Sequence, residues 1–332
     1  MITSQASLRD LSRAVRDALA HPRSDGAPSA SLDLSGLVVD PPRMGRCELV
    51  EGPELQAIAV EDTGAVGFEG FLDGIQRSTV VDYAGTIPIV GGEIAAVIRV
   101  RLQRRMQTWT DGYESRTRLY APSQLLSPET RATFAAAGIE LRDTLPPNEE
   151  TSGHPLELLR AAVDAVKRDR ERLEQDLAEA WVETMASPLF VDGVLPAGDA
   201  ASRSPLCVGV VKSHHTIYAP GEGLAALLGL AEGERSTVFM VERAWGPRVL
   251  SWYLRLREPP SHDPFMGLVR AEIARTPELE VSPSAITSRA DQVSHWILAE
   301  RSPLALPDAR WDRMVYGVRD CEEFLRATRL TG

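Results

Sequence analysis

The chain has 332 residues, 43% of them hydrophobic and 25% charged, with a formal net charge of −11. That length buries one large domain or two modest ones, and the composition is that of an ordinary globular protein. The charge argues against a broad basic surface for nucleic acid, and no apolar run of about 18 residues provides a membrane span.

Residues 5–20 carry Leu8, Leu11, Val15 and Leu19 at helical spacing, which predicts a short amphipathic helix. That stripe must be covered either by its own domain or by a partner. The N-terminus lacks an apolar signal core, and Cys47, Cys207 and Cys321 are scattered and odd in number. Both features are expected of a cytoplasmic protein without disulfides. Residues 22–32 form a Pro/Ser/Gly linker, and the chain is expected to be irregular from there to about 60. The division expected from this is a helix-and-linker region over 1–60 and a main domain over 61–332.

The segment AVGFEGFL (65–72) predicts a strand, with Asp73-Gly74 as the turn that ends it. Residues 79–90 and 93–103 read as further strands, with Gly91-Gly92 as a turn before the second. Residues 122–135 read as a short helix and 155–185 as one long helix. PLFVDG then gives a short apolar strand ending at Asp192-Gly193. Strands are expected over 206–213, 236–243 and 249–257, and helices over 264–275, 284–301 and 320–329. This order indicates an α/β protein with a mixed central sheet and flanking helices.

Two segments share one design: FLDG (71–74) and FVDG (190–193) each run apolar residues into Asp-Gly. A carboxylate at the end of a strand sits at the rim of the sheet, although Asp-Gly is also a common plain turn. The long helix adds a third acid. Leu159, Val163, Val166, Leu173, Leu177, Trp181 and Met185 form one stripe, and Arg170 and Glu174 fall within it. Either these two are a structural ion pair, or Glu174 is aimed across the sheet at the Asp-Gly rims. Clustered carboxylates of this kind suit Mg²⁺ or Mn²⁺, which take oxygen ligands and can activate water for phosphodiester cleavage.

The ordered set FLDG, an R-x-x-x-E helix spanned by Arg170 and Glu174, FVDG, and GVVK (209–212) resembles the NurA nucleases. SWYLRL (251–256) followed by LVRAEI (268–273) extends the resemblance to about residues 65–275. It implies an RNase H-like fold and a DNA nuclease with Asp73, Glu174 and Asp192 as ligands to Mn²⁺ or Mg²⁺. It also implies Lys212 near the scissile phosphate, a homodimer, and a HerA-type hexameric ATPase as partner in DNA end processing or defence. The family carries Ala-His in its last helix, and none occurs there in this chain. In VYGVRDCEEFLRA (315–327), Asp320, Glu322 or Glu323 would substitute, with Glu322 preferred. The family's Asp-Gly-Ser is here Asp-Gly-Ile-Gln-Arg-Ser (73–78). The competing expectation is a non-catalytic RNase H-like module of an assembly or defence complex.

Other cues are bland. His214 and His215 have no third soft ligand at a zinc spacing. Phosphate-loop, dinucleotide and serine-hydrolase motifs are absent. Arg99, Arg101, Arg104 and Arg105 are either a nucleic-acid path or a solvated strand face.

Overall fold

The structure is a computed structural model that describes residues 7–19, 41–61, 66–103, 105–145, 153–219, 221–243, 246–258, 263–280, 282–301 and 316–329. In chain order the helices are α1 (Leu8–Ala18), α2 (Pro128–Ala136), α3 (Pro155–Thr184), α4 (Gly223–Leu228), α5 (Pro277–Glu280), α6 (Pro283–Ala299) and α7 (Tyr316–Arg329). The first seven strands are β1 (Arg43–Met44), β2 (Cys47–Leu49), β3 (Ala57–Ala59), β4 (Gly70–Ala84), β5 (Ile87–Leu102), β6 (Arg105–Ala121) and β7 (Leu141–Asp143). The remainder are β8 (Leu189–Asp192), β9 (Cys207–Val211), β10 (Thr216–Ile217), β11 (Glu234–Ser236), β12 (Phe239–Val241), β13 (Val249–Arg255) and β14 (Leu268–Ala274).

One 12-stranded mixed sheet organises the chain, in the order β2-β12-β13-β14-β9-β8-β4-β5-β6-β7, with β11 joining β13 to β3. The short β8 lies between β4 and β9 and is parallel to both. Helix α3 packs on one face, where Leu159, Val166, Leu173, Leu177 and Trp181 meet Leu72, Ala96 and Ile98. Helices α6 and α7 cover the other face, where Val293, Ile297, Val318 and Leu325 meet Phe71, Ala95 and Val97. Alternation along β4 makes this possible, since Phe71 and Leu72 point to opposite sides. The chain is thus a mixed α/β protein with helices on both faces of its sheet. None of the described helices is long and apolar enough to cross a membrane.

Several expectations are corrected. Asp73-Gly74 does not end a strand, because β4 continues through it to Ala84. Residues 79–90 are two strands, since Gly85 at φ 66° makes a tight hairpin turn between β4 and β5. Gly91 and Gly92 lie inside β5 rather than in a turn. A Cβ on Gly92 would meet Tyr120 and Val166, so this glycine admits the close approach of α3. The long β6, absent from the sequence expectations, contains a bulge at Asp111-Gly112, with Asp111 at φ 62°. Most of the helix expected over 264–275 is instead β14. It is buried along its whole length, and its charges Arg270 and Glu272 pair with each other at 2.5 Å. The supposedly irregular stretch before residue 60 supplies β1, β2 and β3, which pair with β10, β12 and β11.

The apolar stripe of α1 is filled by its own fold. Leu11 and Val15 are buried against Ile89, Leu119 and Phe134. The linker 22–32, Arg104 and the chain over 302–315 lie outside the described residues.

Candidate metal centre

The parallel pairing of β4 with β8 sets the site. Leu72 is paired with Val191, so the next residues, Asp73 and Asp192, stand side by side where β8 stops and β4 runs on. Helix α7 brings the third acid. Gly317 lets the helix sit against the ring of Phe71, and the Cys321 thiol donates to the Phe71 carbonyl at 3.2 Å. Arg99 on β5 fixes the same helix through an ion pair with Asp320 at 2.5 Å. So anchored, Glu322 faces the two aspartates. One carboxylate oxygen each from Asp73, Asp192 and Glu322 lie within 4.8 Å of one another. This is the one such group of His, Cys, Asp or Glu among the described residues.

Of the three acids considered in the last helix, two are engaged elsewhere. Asp320 pairs with Arg99, and Glu323 pairs with Arg319 at 2.6 Å. Glu322 also accepts from Arg326 one turn on, at 3.1 Å. Lys212, just past the end of β9, donates to Asp192 Oδ2 at 2.9 Å. The acidic cluster therefore contains one ammonium group.

Glu174 lies on the other side of β4. Asp73 and Gly74 are successive strand residues, so they address opposite faces. The face at Gly74 belongs to α3, and a Cβ there would stand 2.4 Å from Glu174 Oε1. Glu174 is buried and ion-paired with Arg170, which Gln76 holds in turn at 3.1 Å. The ion-pair reading of Arg170 and Glu174 therefore holds. Glu174 is not among the three converging acids, but its charge is felt by Asp73, and that of Asp192 by Glu174.

Burial holds the Asp73 carboxyl well above the usual carboxylate range. The charges of Asp192, Glu174 and Glu322 add to the effect and Lys212 opposes it. Burial likewise pushes Glu174 from an ordinary 4.5 up to about 7, against the pull of Arg170. These raised values carry a stability consequence. The folded chain holds protons that the unfolded chain releases between about pH 4.5 and 7, so stability without metal falls as pH rises through that window. In EDTA the melting temperature should be lower near pH 8 than near pH 5, and Glu174→Gln should flatten the slope. A melting temperature that rises across this window in the wild type, or an unchanged slope in the variant, would contradict it.

Gly74 gives a second prediction. Its missing Cβ leaves the space that Glu174 occupies, so Gly74→Ala forces the carboxylate away from Arg170. A loss of about 1–3 kcal/mol in urea unfolding is expected, the usual cost of overpacking. Wild-type stability in this variant would mean that the contact is soft.

The remaining candidates are structural. Arg101 makes a bidentate pair with Glu300, so Arg99 and Arg101 clamp helices to the sheet and do not form a solvated face. The His214 ring stacks on Phe265, and its Nε2 meets the Leu268 carbonyl at 3.0 Å.

No family model matches this sequence, and no curated protein matches it. The chain is similar to the NurA nuclease from Sulfolobus solfataricus, with a TM-score of 0.45 and 10% identity over 80% of this chain and 82% of that one.

Proposed function

We infer that the protein is a divalent-metal-dependent nuclease that hydrolyses phosphodiester bonds in DNA. The observation that carries this reading is the convergence of Asp73, Asp192 and Glu322, with Lys212 beside them. Three carboxylates whose oxygens lie within 4.8 Å of one another repel, and their all-oxygen donor set fits Mg²⁺ or Mn²⁺. A cation of this kind supplies Lewis-acid polarisation of a phosphoryl oxygen and acidifies water.

In this reading Asp73, Asp192 and Glu322 bind the cation from two strands and a helix, a rigid frame for a site that must not spread. Glu174 stands behind Gly74 as a fourth carboxylate, available to a second cation if Arg170 releases it. Lys212 neutralises Asp192 in the metal-free protein and offers a point cation to a substrate phosphate. The order of motifs around these residues, which resembles that of NurA nucleases, supports the nuclease reading with Asp73 and Asp192 as ligands. A homodimer working with a HerA-type ATPase in DNA end processing or defence belongs to that resemblance.

A second reading, a non-catalytic assembly module, draws on the Lys212–Asp192 pair, which already occupies Asp192 with a cation. Digestion of end-labelled oligonucleotides and plasmid in Mn²⁺, Mg²⁺ or EDTA separates the two. The nuclease reading expects cleavage with either metal, none in EDTA and none for Asp73→Ala. Equal cleavage by wild type and variant, or no cleavage under any condition, rejects it.

A further inference from the structure

A second cluster lies on the α3 face of the sheet, away from the three carboxylates. Asp169, buried on α3, receives Arg118 of β6 at 2.9 Å and Arg142 of β7 at 3.2 Å. Arg172, one turn along α3, stands 4.0 Å away, and the Tyr120 hydroxyl donates at 3.0 Å. Three guanidiniums around one carboxylate leave a formal local charge of +2, on a chain whose net charge is −11. A structural ion pair needs one arginine, and the other two exceed it. The arginines are also accessible: their side chains are 34%, 48% and 67% exposed.

The acids nearby are committed elsewhere. Glu114 and Asp176 both pair with Arg116. Asp143, next to Arg142, accepts from Ser123 and from the Leu145 amide. Among the described residues, no ion pair joins these acids to Arg118, Arg142 or Arg172, so Asp169 is the carboxylate that holds the three accessible guanidiniums. Planar guanidiniums in this number favour a tetrahedral oxyanion, which each can engage through two N–H groups.

The strand register gives the separation from Gly74, which shares the α3 face, while the Asp73 side chain and the three-carboxylate site lie on the opposite face. Gly74, against Glu174, is in line with Ala96 and Glu114, whereas Arg118 is in line with Gly92 and Ser78. That is four residues along and two strands across, or about 16 Å.

We propose that Arg118, Arg142 and Arg172, gathered by Asp169, form a phosphate-binding station that grips the nucleic-acid backbone on the face of the sheet opposite the three-carboxylate site. This rests on the nuclease reading. It explains how an acidic protein holds a polyanion: a small basic station takes the place of a broad basic face. Asp169 is a positioning residue that keeps the guanidiniums together.

The test is fluorescence anisotropy of labelled single-stranded oligonucleotides in EDTA over a salt series. The wild type is compared with Arg142→Ala/Arg172→Ala, whose two side chains are the more exposed, and with Arg248→Ala as control. The double variant should bind a strand of about 20 nucleotides roughly tenfold more weakly, and its salt slope should fall by about 0.7 per lost contact. Arg172→Glu alone should weaken the long strand further than Arg172→Ala, with an unchanged melting temperature. An unchanged slope in the double variant, while the wild type binds and cleaves, overturns the station alone. A wild type that neither binds nor cleaves any oligonucleotide overturns it together with the nuclease reading.

Discussion

Asp192→Asn should reduce metal-dependent cleavage by about 10³-fold, or ~4 kcal/mol of transition-state stabilisation. Asp192 is central to the cluster. It adjoins Asp73 through strand pairing, contributes an oxygen to the three-acid group, receives Lys212 at 2.9 Å and raises the Glu174 carboxyl. The amide keeps the size and the hydrogen bond to Lys212 but removes the charge that holds a cation. The fold should survive, because the change relieves like-charge repulsion on Asp73. In EDTA the variant should melt at or above the wild-type temperature. Single-turnover cleavage and thermal melting together decide the matter. Full activity would remove Asp192 from the site, and a collapsed fold would show its role to be structural.

Trp181→Ala should cost about 4 kcal/mol of stability, within the ~3–5 kcal/mol typical of a large aromatic removed from a core. Trp181 is fully buried, stacks edge-on with Trp109 at 5.3 Å between ring centroids, and covers Gly70 at the start of β4. Its indole N–H donates to the Ser187 carbonyl at 2.9 Å, just before β8. One side chain thus joins α3, the start of β4 and the approach to β8, the elements that carry Glu174, Asp73 and Asp192. Urea unfolding in EDTA measures the loss. Trp181→Phe, which keeps a ring but not the hydrogen bond, should lose about half as much. A loss below about 1 kcal/mol for the alanine variant would show that the site does not depend on this joint.

The parts of this arrangement that were legible in the sequence are those with a local signature. Helix α3 declared itself through seven apolar residues at helical spacing, and six of them are buried, with Met185 half-buried at the cap. Phe190 and Val191 announced β8, and Asp192 its end. Features that depend on distant neighbours are not legible in the sequence. Gly74 has the sequence signature of a turn, but its reason is Glu174, 100 residues later on another element. Strand β14 reads as a helix in sequence because a strand buried on both faces loses its alternation, and its charged residues satisfy each other. Strand β6 was hidden by Asp111-Gly112, a turn pair that here makes a bulge. The sequence narrowed the last acid to Asp320, Glu322 and Glu323. The choice among them follows from Arg99 and Arg319, whose placement only the tertiary fold determines. The cluster at Asp169 had no sequence signal, since its arginines come from two strands and a helix.

The central claim is that Asp73, Asp192 and Glu322 hold a divalent cation. Crystals grown without metal and soaked in Mn²⁺ test it most directly, through an anomalous difference map. The account predicts a manganese peak bounded by these three carboxylates, with the Lys212 ammonium moved off Asp192 and no such peak in Asp73→Ala crystals. A map without a peak there at saturating Mn²⁺, with Lys212 still on Asp192, would contradict it.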